Sequence, residues 1–264
     1  MVTIIERAPA KINLGLDIRG KRPDGYHDLS MVMVSVDLCD YVTVDHLNED
    51  KIVFTSNCPK MPVNQTNDVY KAAQLMKDRF QIKTGLSIFL EKRIPVCAGM
   101  GGGSSDAAAT IRALNQLWQL NLSCEDMIDI GMQIGSDVPY CLVAGCAQVS
   151  GKGEVVSQIA GQLSSWVVLV KPEFGISTRT VFSDINCDTI SRVSIDGLVA
   201  AIEADDYEGL LLTMGNSLED ISIAKRPFIQ KIKDKMLQAG ADAALMTGSG
   251  PTVFALCKTE KQAN

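Results

Sequence analysis

The stretch "VCAGMGGGSSDAAATIRALN", residues 96–115, limits what this chain can fold into more than any other. Residues 99 to 105 hold four glycines and two serines in seven positions, and an alanine-rich run follows. Ala107, Ile111, Leu114 and Trp118 recur at spacings of four, three and four, the stripe of a helix buried on one face. The preceding "GLSIFLEKRIP" reads as a strand and its exit, so the local order is strand, loop, helix. Such a loop gathers unpaired backbone N–H groups and the positive end of a helix dipole at one point. Glycine is suited to it because any side chain would hold an anion away from the backbone. A purely structural turn is the plainer explanation, and both readings stand at this point. A Walker A loop is excluded because GK[ST] is absent, and a dinucleotide fingerprint fits poorly because its third glycine falls on Ser104. An acid expected further on to bind ribose would fall near Glu125, in a segment that reads as helix.

If a phosphate sits there, the chain as a whole does not supply the balancing charge. Lys and Arg total 25 against 31 Asp and Glu, a net charge of −6, with no basic block. That disfavours nucleic acid or an anionic membrane as the main partner. No apolar run approaches the roughly 20 residues needed to cross a bilayer. Glu6 and Arg7 interrupt the start where a signal peptide needs an apolar core, so a cytoplasmic protein is expected. With 264 residues, 46% of them hydrophobic, the chain suits one large or two modest soluble domains. Its eight cysteines are scattered without a CxxC and are expected to be reduced and mostly buried. Two histidines, His27 and His46, are too few for a typical zinc site.

In "KINLGLDIR", Ile12, Leu14, Leu16 and Ile18 alternate with polar residues, which predicts a half-buried strand. Lys11 and Asn13 share its polar face, about 7 Å apart. A turn at Pro23-Asp24-Gly25 follows, then strands in "MVMVSVDL", "DYVTVDHL", "KIVFT" and "GLSIFLEK". The segment 67–80 predicts a helix with Val69, Ala72, Ala73, Met76 and Phe80 as its apolar stripe. Another helix starts after Ser123 as N-cap, with Glu125 and Asp126 in its first turn. A second domain is expected from residue 161, the first spanning 1–160. It holds a strand near 165–171, helices near 194–204, 206–214 and 227–238, and the hairpin "ADAALMTGSGPTVFALC". The closing "KTEKQAN" has the composition of a helix start, which predicts a chain cut short or a tail continuing beyond it.

Lys11 alone would pass for a surface lysine, and Asp137, just ahead of Pro139, for a helix cap. Taken with the glycine loop, they supply a cation for the moving charge and a carboxylate for a hydroxyl proton, as phosphoryl transfer requires. "TGSGPTVF", from Thr247 to Pro251 at its turn, is either a plain hairpin or a second glycine loop abutting the first.

"APAKINLGL", "IPVCAGMGGGSSDAAA" and "LMTGSGPTVFAL" together resemble the three motifs of the GHMP kinase superfamily, over nearly the whole chain. Within it, "PAKINLGL" followed by "RPDGYHDL", with "SDVPY" later, is similar to the kinases whose acceptor is a cytidine diphosphate ester of methylerythritol. The resemblance implies an α+β fold of two domains, the first like domain 2 of ribosomal protein S5 and the second ferredoxin-like. It implies transfer of the γ-phosphoryl of ATP, with Mg²⁺, to the 2-hydroxyl of that ester, a step toward isoprenoid precursors outside the mevalonate route. Matching positions make Asp137 the proton acceptor and Lys11 the group that orients the hydroxyl. They make Pro95, Val96, Cys97, Ala98, Gly99, Met100, Gly101, Gly102, Gly103, Ser104 and Ser105 the nucleotide loop, with Asn67 and Lys92 near the adenine. Asn13 and Thr178 match substrate contacts, while Tyr26, His27 and Phe182 match the cytidine site. Ser104 or Ser105 is the candidate for Mg²⁺. A monomer or weak homodimer is expected. The alternatives are a relative acting on mevalonate or homoserine, for which a Tyr-His pair has no use, and a non-catalytic nucleotide-binding relative, which need not keep Lys11 and Asp137.

Overall fold

The structure, a computed structural model, describes residues 2–161 and 164–264. The chain divides into two compact units, neither continuous in sequence. One comprises Met1–Lys11, Ser35–Val96 and Gly101–Ala144, the other Ile12–Val34, Cys97–Met100 and Gly145–Asn264. Two long strands, β1 (Ile4–Lys21) and β2 (His27–Leu47), each pass from one unit to the other.

In the first unit β3 (Ile52–Ser56), α1 (Asp68–Arg79), β4 (Gly85–Glu91), α2 (Gly102–Leu117), α3 (Cys124–Met132) and α4 (Val138–Val143) follow in order. β4 pairs antiparallel with β2, from Tyr41–Glu91 to Leu47–Gly85, and parallel with β3. The strand order is β3-β4-β2-β1. α2 packs against α1, α3 and α4 through an alanine face in which Ala107, Ala108, Ala109, Ile111, Ala113 and Leu114 are wholly buried. Small side chains let the neighbouring helices approach closely, which keeps interior packing tight. Asn67 caps α1, its side chain accepting from the Val69 N–H, and Ser123 caps α3 in a reciprocal capping box with Asp126.

The second unit adds β5 (Cys146–Gly151), β6 (Val155–Gln158), β7 (Trp166–Val170), α5 (Thr178–Ser183), α6 (Ile195–Glu203), α7 (Tyr207–Thr213) and β8 (Gly215–Asn216). After these come α8 (Glu219–Lys225), α9 (Phe228–Gln238), β9 (Ala243–Met246), β10 (Val253–Cys257) and α10 (Glu260–Ala263). β5 pairs antiparallel with β2 and with β6, while β8 lies parallel to β1 at Gly15 and Leu16. A separate antiparallel sheet has the order β7-β10-β9. The mixed α+β architecture is the one expected, and the "KTEKQAN" helix start is present as α10, with a capping box between Thr259 and Gln262.

Three expectations need correction. β1 is not half-buried: Lys11, Asn13 and Asp17 are as buried as the apolar residues between them. Alternation signals two faces, but here elements from elsewhere in the chain cover the polar one. Asp17 receives Arg19 and Arg192 at 3.1 and 3.3 Å, and Leu198 and Ile195 of α6 pack directly over Gly15. "MVMVSVDL" and "DYVTVDHL" form one strand rather than two, because Asp40 at the start of the second is buried and hydrogen-bonded instead of turning out to solvent. The cysteines are unpaired, as expected, but only Cys39, Cys141 and Cys257 are buried. α5 and α8 had no strong sequence signal, since helices of six or seven residues are too short to show a period.

A methyl at Gly15 would stand 2.6 Å from Leu198 Cδ2 and 2.8 Å from Ile195 Cδ1. Gly15→Val should therefore lower stability by about 1–3 kcal/mol through overpacking. Leu198→Ala in the same chain should recover part of that loss. Urea denaturation of the single and double variants measures both, and an undestabilised Gly15→Val would remove this account of the strand's packing.

Candidate active site

In the first unit the glycine loop runs into α2 as a helix start without a side-chain cap. Gly101, the N-cap, has φ +66°, a left-handed conformation that glycine adopts without steric cost. The first backbone bond within the helix is Ser105 N–H to Gly101 O at 2.9 Å. The N–H groups of Gly102, Gly103 and Ser104 therefore have no carbonyl partner inside the helix and form a donor cluster suited to phosphate. Ser105 Oγ donates to Pro9 O at 2.8 Å, tying the first turn to β1. Ser104 Oγ lies near Gly135 in the turn ahead of α4.

Lys11 reaches this loop from β1. A methyl at Gly101 would lie 2.9 Å from Lys11 Cγ, so the lysine stem passes directly over the glycine. Its ammonium faces Asp137 Oδ2 at 3.8 Å, with the lysine side chain 6% exposed and the carboxylate 33% exposed. Asp137 occupies the N-cap position of α4, yet its backbone is helical and its side chain makes no cap bond. The capping explanation of this residue therefore fails, and the carboxylate is turned toward Lys11. α4 is held by the wholly buried Pro139-Tyr140 step, by Tyr140 Oη against Ser35 Oγ at 3.1 Å, and by Arg112 donating to Cys141 O at 2.9 Å. Burial pushes the thiol of Cys141, one turn from Asp137, up to about 12, so that group is inert as an acid.

Lys92 is placed differently from a ligand contact. Its ammonium is buried between Asp40 and Asp106, at 2.8 Å from the latter, directly beneath Gly102. Burial would lower its pKa, but the two carboxylates outweigh that and raise it. Asp106 is pushed well up by burial, with the charge of Asp40 adding to it. Asp40 also accepts the N–H groups of Arg93 and Ile94, which fixes the exit of β4 ahead of the loop. Asp40 and Asp106 carried no sequence signal, because a triad drawn from three distant segments has no spacing to recognise. Asn67, also expected near a base, is engaged locally through its cap and through Pro62 O at 2.9 Å.

In the second unit the earlier part of the loop, Cys97–Met100, meets the second glycine turn. A methyl at Gly99, whose φ is +76°, would stand 2.6 Å from Thr247 O and 3.0 Å from Gly250 O. "TGSGP" therefore abuts the first loop and is more than a hairpin connection. Asn13 N–H donates to Thr247 Oγ1 at 3.0 Å, and Thr178 Oγ1 lies 2.8 Å from Ser249 Oγ. His27 and Phe182 face one another at 5.7 Å between ring centres, tilted by 55°. Tyr26 is 63% exposed, with Lys152 Nζ 5.3 Å from its ring. Burial, and after it the charge of Lys21, hold the His27 pKa below its ordinary 6.5, so its imidazole is neutral at neutral pH.

Gly101→Val should abolish nucleotide binding without unfolding the chain, because the side chain would both collide with Lys11 and enforce a disfavoured dihedral. Gly103 has ordinary space around it, with only Asp68 Oδ2 at 3.5 Å, so Gly103→Ala should fold normally and still lose about ten-fold in ATP affinity by blocking backbone approach. Calorimetric ATP titration with thermal midpoints checks both, and normal affinity in the two variants would return the loop to a structural turn.

Comparison with known proteins gives the family. Residues 67–145 match the GHMP kinases N terminal domain, and residues 198–264 the GHMP kinases C terminal domain. A protein of Streptococcus equi subsp. zooepidemicus, provisionally named 4-diphosphocytidyl-2-C-methyl-D-erythritol kinase, is 82% identical over 100% of this chain and 93% of its own length. A Streptococcus mutans protein with the same provisional name is 66% identical over 99% of this chain and 93% of its own. Among solved structures, a 4-(cytidine 5'-diphospho)-2C-methyl-D-erythritol kinase superposes with a TM-score of 0.85 at 29% identity, over 98% of this chain and 92% of that one. Homoserine kinase from Cytophaga hutchinsonii shares the fold, with a TM-score of 0.80 at 21% identity over 99% of this chain and 87% of that one. With both domains matched and relatives this similar along their length, the chain belongs to the GHMP kinases.

Proposed function

We propose that this kinase transfers the γ-phosphoryl of ATP to the 2-hydroxyl of 4-diphosphocytidyl-2-C-methyl-D-erythritol, in the route to isoprenoid precursors that does not pass through mevalonate. The observation that carries the chemistry is the Lys11–Asp137 pair, in which a carboxylate at a helix start is directed at a buried ammonium instead of capping the helix. The acceptor hydroxyl gives its proton to Asp137 as its oxygen bonds the γ-phosphorus, and the bond from that phosphorus to the β-bridging oxygen breaks to release ADP. Lys11 orients the hydroxyl and offsets the charge spreading over the transferring group. Residues 99–105 hold the β- and γ-phosphates through their N–H groups, while Lys92, paired with Asp40 and Asp106, supports the loop from within the fold. Asn13 and Thr178 lie on the acceptor side. Tyr26 and Phe182 stack on the cytosine, and neutral His27 hydrogen-bonds its edge.

A Mg²⁺ ion bound with ATP would neutralise charge on the phosphate oxygens. The donor set suits an ion held mainly by the nucleotide: Ser105 is buried with its hydroxyl on Pro9 O, so the more accessible Ser104 is the hydroxyl that would hold it. The protein is proposed to act in the cytoplasm as a monomer or weak homodimer, with residues 1–160 carrying the ATP site and 161–264 a ferredoxin-like domain.

A coupled assay of ADP release should give turnover with the cytidyl ester and little with mevalonate or homoserine. The reverse preference would assign the chain to another GHMP activity, and nucleotide binding without turnover would make it a non-catalytic relative. Asp137→Asn should lower kcat by about 10² to 10⁴ with KM values within a few-fold, its folding checked by thermal midpoint. Retention of a tenth of the activity would exclude Asp137 as the base.

His27 sets a pH dependence. Burial, and after it the charge of Lys21, hold its pKa below the ordinary histidine range, so the ring gains its proton at more acidic pH than a free imidazole does. The KM for the cytidyl ester should be flat around neutral pH and rise on the acid side as His27 gains its proton, and His27→Asn should remove that rise. A rise of equal size in the variant would place the titration elsewhere.

A further inference from the structure

The second glycine turn contains a side chain that the phosphoryl-transfer reading leaves unused. Thr247 is wholly buried, and its backbone is pinned on both sides. Its N–H donates to Thr252 O at 3.0 Å, and its carbonyl accepts from Gly250 N–H at 3.0 Å. Asn216, on β8, donates both amide hydrogens to the flanking carbonyls, Met246 O at 2.7 Å and Gly248 O at 2.8 Å. Only the hydroxyl hydrogen has a choice of direction. The oxygen is already anchored as the acceptor of Asn13 N–H at 3.0 Å. Its single hydrogen faces two acceptors at nearly equal range, Asn13 Oδ1 at 3.3 Å and Gly99 O at 3.4 Å.

Those acceptors belong to different jobs. Asn13 stands two residues from Lys11 on β1, and Gly99 begins the seven-residue glycine loop. A hydroxyl that bonds Asn13 Oδ1 takes one of that oxygen's two acceptor positions. Turned toward Gly99 O, it leaves that one position to another donor and adds one bond to the loop. No other conformational change is required.

We propose that Thr247 is a positioning residue that couples Asn13 to the nucleotide loop, its hydroxyl hydrogen passing from Asn13 Oδ1 to Gly99 O when a ligand engages the asparagine. This rests on the assignment of Asn13 to the acceptor and of the loop to ATP. The device needs the hydroxyl and not the shape of threonine, which makes it testable by substitution.

Thr247→Val keeps the shape and removes the hydroxyl, while Thr247→Ser keeps the hydroxyl. In the full-length protein the valine variant should raise amide hydrogen exchange at Asn13 at least ten-fold, since its acceptor is lost. It should weaken ATP binding by about five-fold and raise the acceptor KM by about ten-fold with kcat changed less than about two-fold. The serine variant should stay within about two-fold of the parent in every measurement. In an Asn13→Ala background, Thr247→Val should raise the acceptor KM no further. Valine and serine variants that behave alike, or effects that simply add to Asn13→Ala, would overturn the proposal. If valine prevents folding, Thr247→Ala supplies the same deletion, and failure of both to fold while serine folds would show a structural role only. Should the parent turn over none of the acceptors, the phosphotransfer reading fails. The exchange at Asn13 and the ATP titration still decide the role of Thr247.

Discussion

β1 carries polar residues into the interior, and each of them must be partnered there. An unpaired buried polar group costs about 1–3 kcal/mol and an unpaired buried charge more, so the strand can exist only if distant segments supply partners. Asp137 faces Lys11, Thr247 Oγ1 accepts from Asn13 N–H, and Asp17 accepts from Val193 N–H and pairs with Arg192. The residues that would carry the chemistry are thus also the residues that specify the packing around the strand. This explains how a lysine and an asparagine can be buried within three positions of each other in a chain of net charge −6.

Glycine has two separate uses around the glycine-rich loop at residues 99–105. At Gly101 it leaves room for the stem of Lys11, so the cation missing from the loop's own sequence comes from another strand. At Gly99 it leaves room for the carbonyls of Thr247 and Gly250, so one glycine turn can rest on the other. In both places the requirement comes from a neighbour's atoms, and the left-handed dihedral adds to it. The buried Lys92 with its two carboxylates stabilises the same region from below, joining the exit of β4 to the first turns of α2. Removing one member of such a group would leave uncompensated charge, so its contribution is to fix geometry more than to add net stability.

Much of this was legible from local patterns. The strand-loop-helix order around residues 99–105, the caps at Asn67 and Ser123, and the apolar stripes of α1 and α2 follow from spacings that span a few residues. The three motifs with "DGYH" also pointed to the right family. What was not legible were partnerships between segments. A capping aspartate and one directed at a lysine look the same in "SDVPY", and only the absence of a cap bond and the direction toward Lys11 separate them.

The sequence by itself therefore determined the elements, the α+β class and the residue types available to hold phosphate, because each depends on near neighbours along the chain. The tertiary structure alone decided that Lys11 is buried, that Lys92 is spent on Asp40 and Asp106, and that Thr247 stands between Asn13 and Gly99. Those outcomes depend on which distant atoms come within about 3 Å of one another, and hydrogen bonds and desolvation act only at that range.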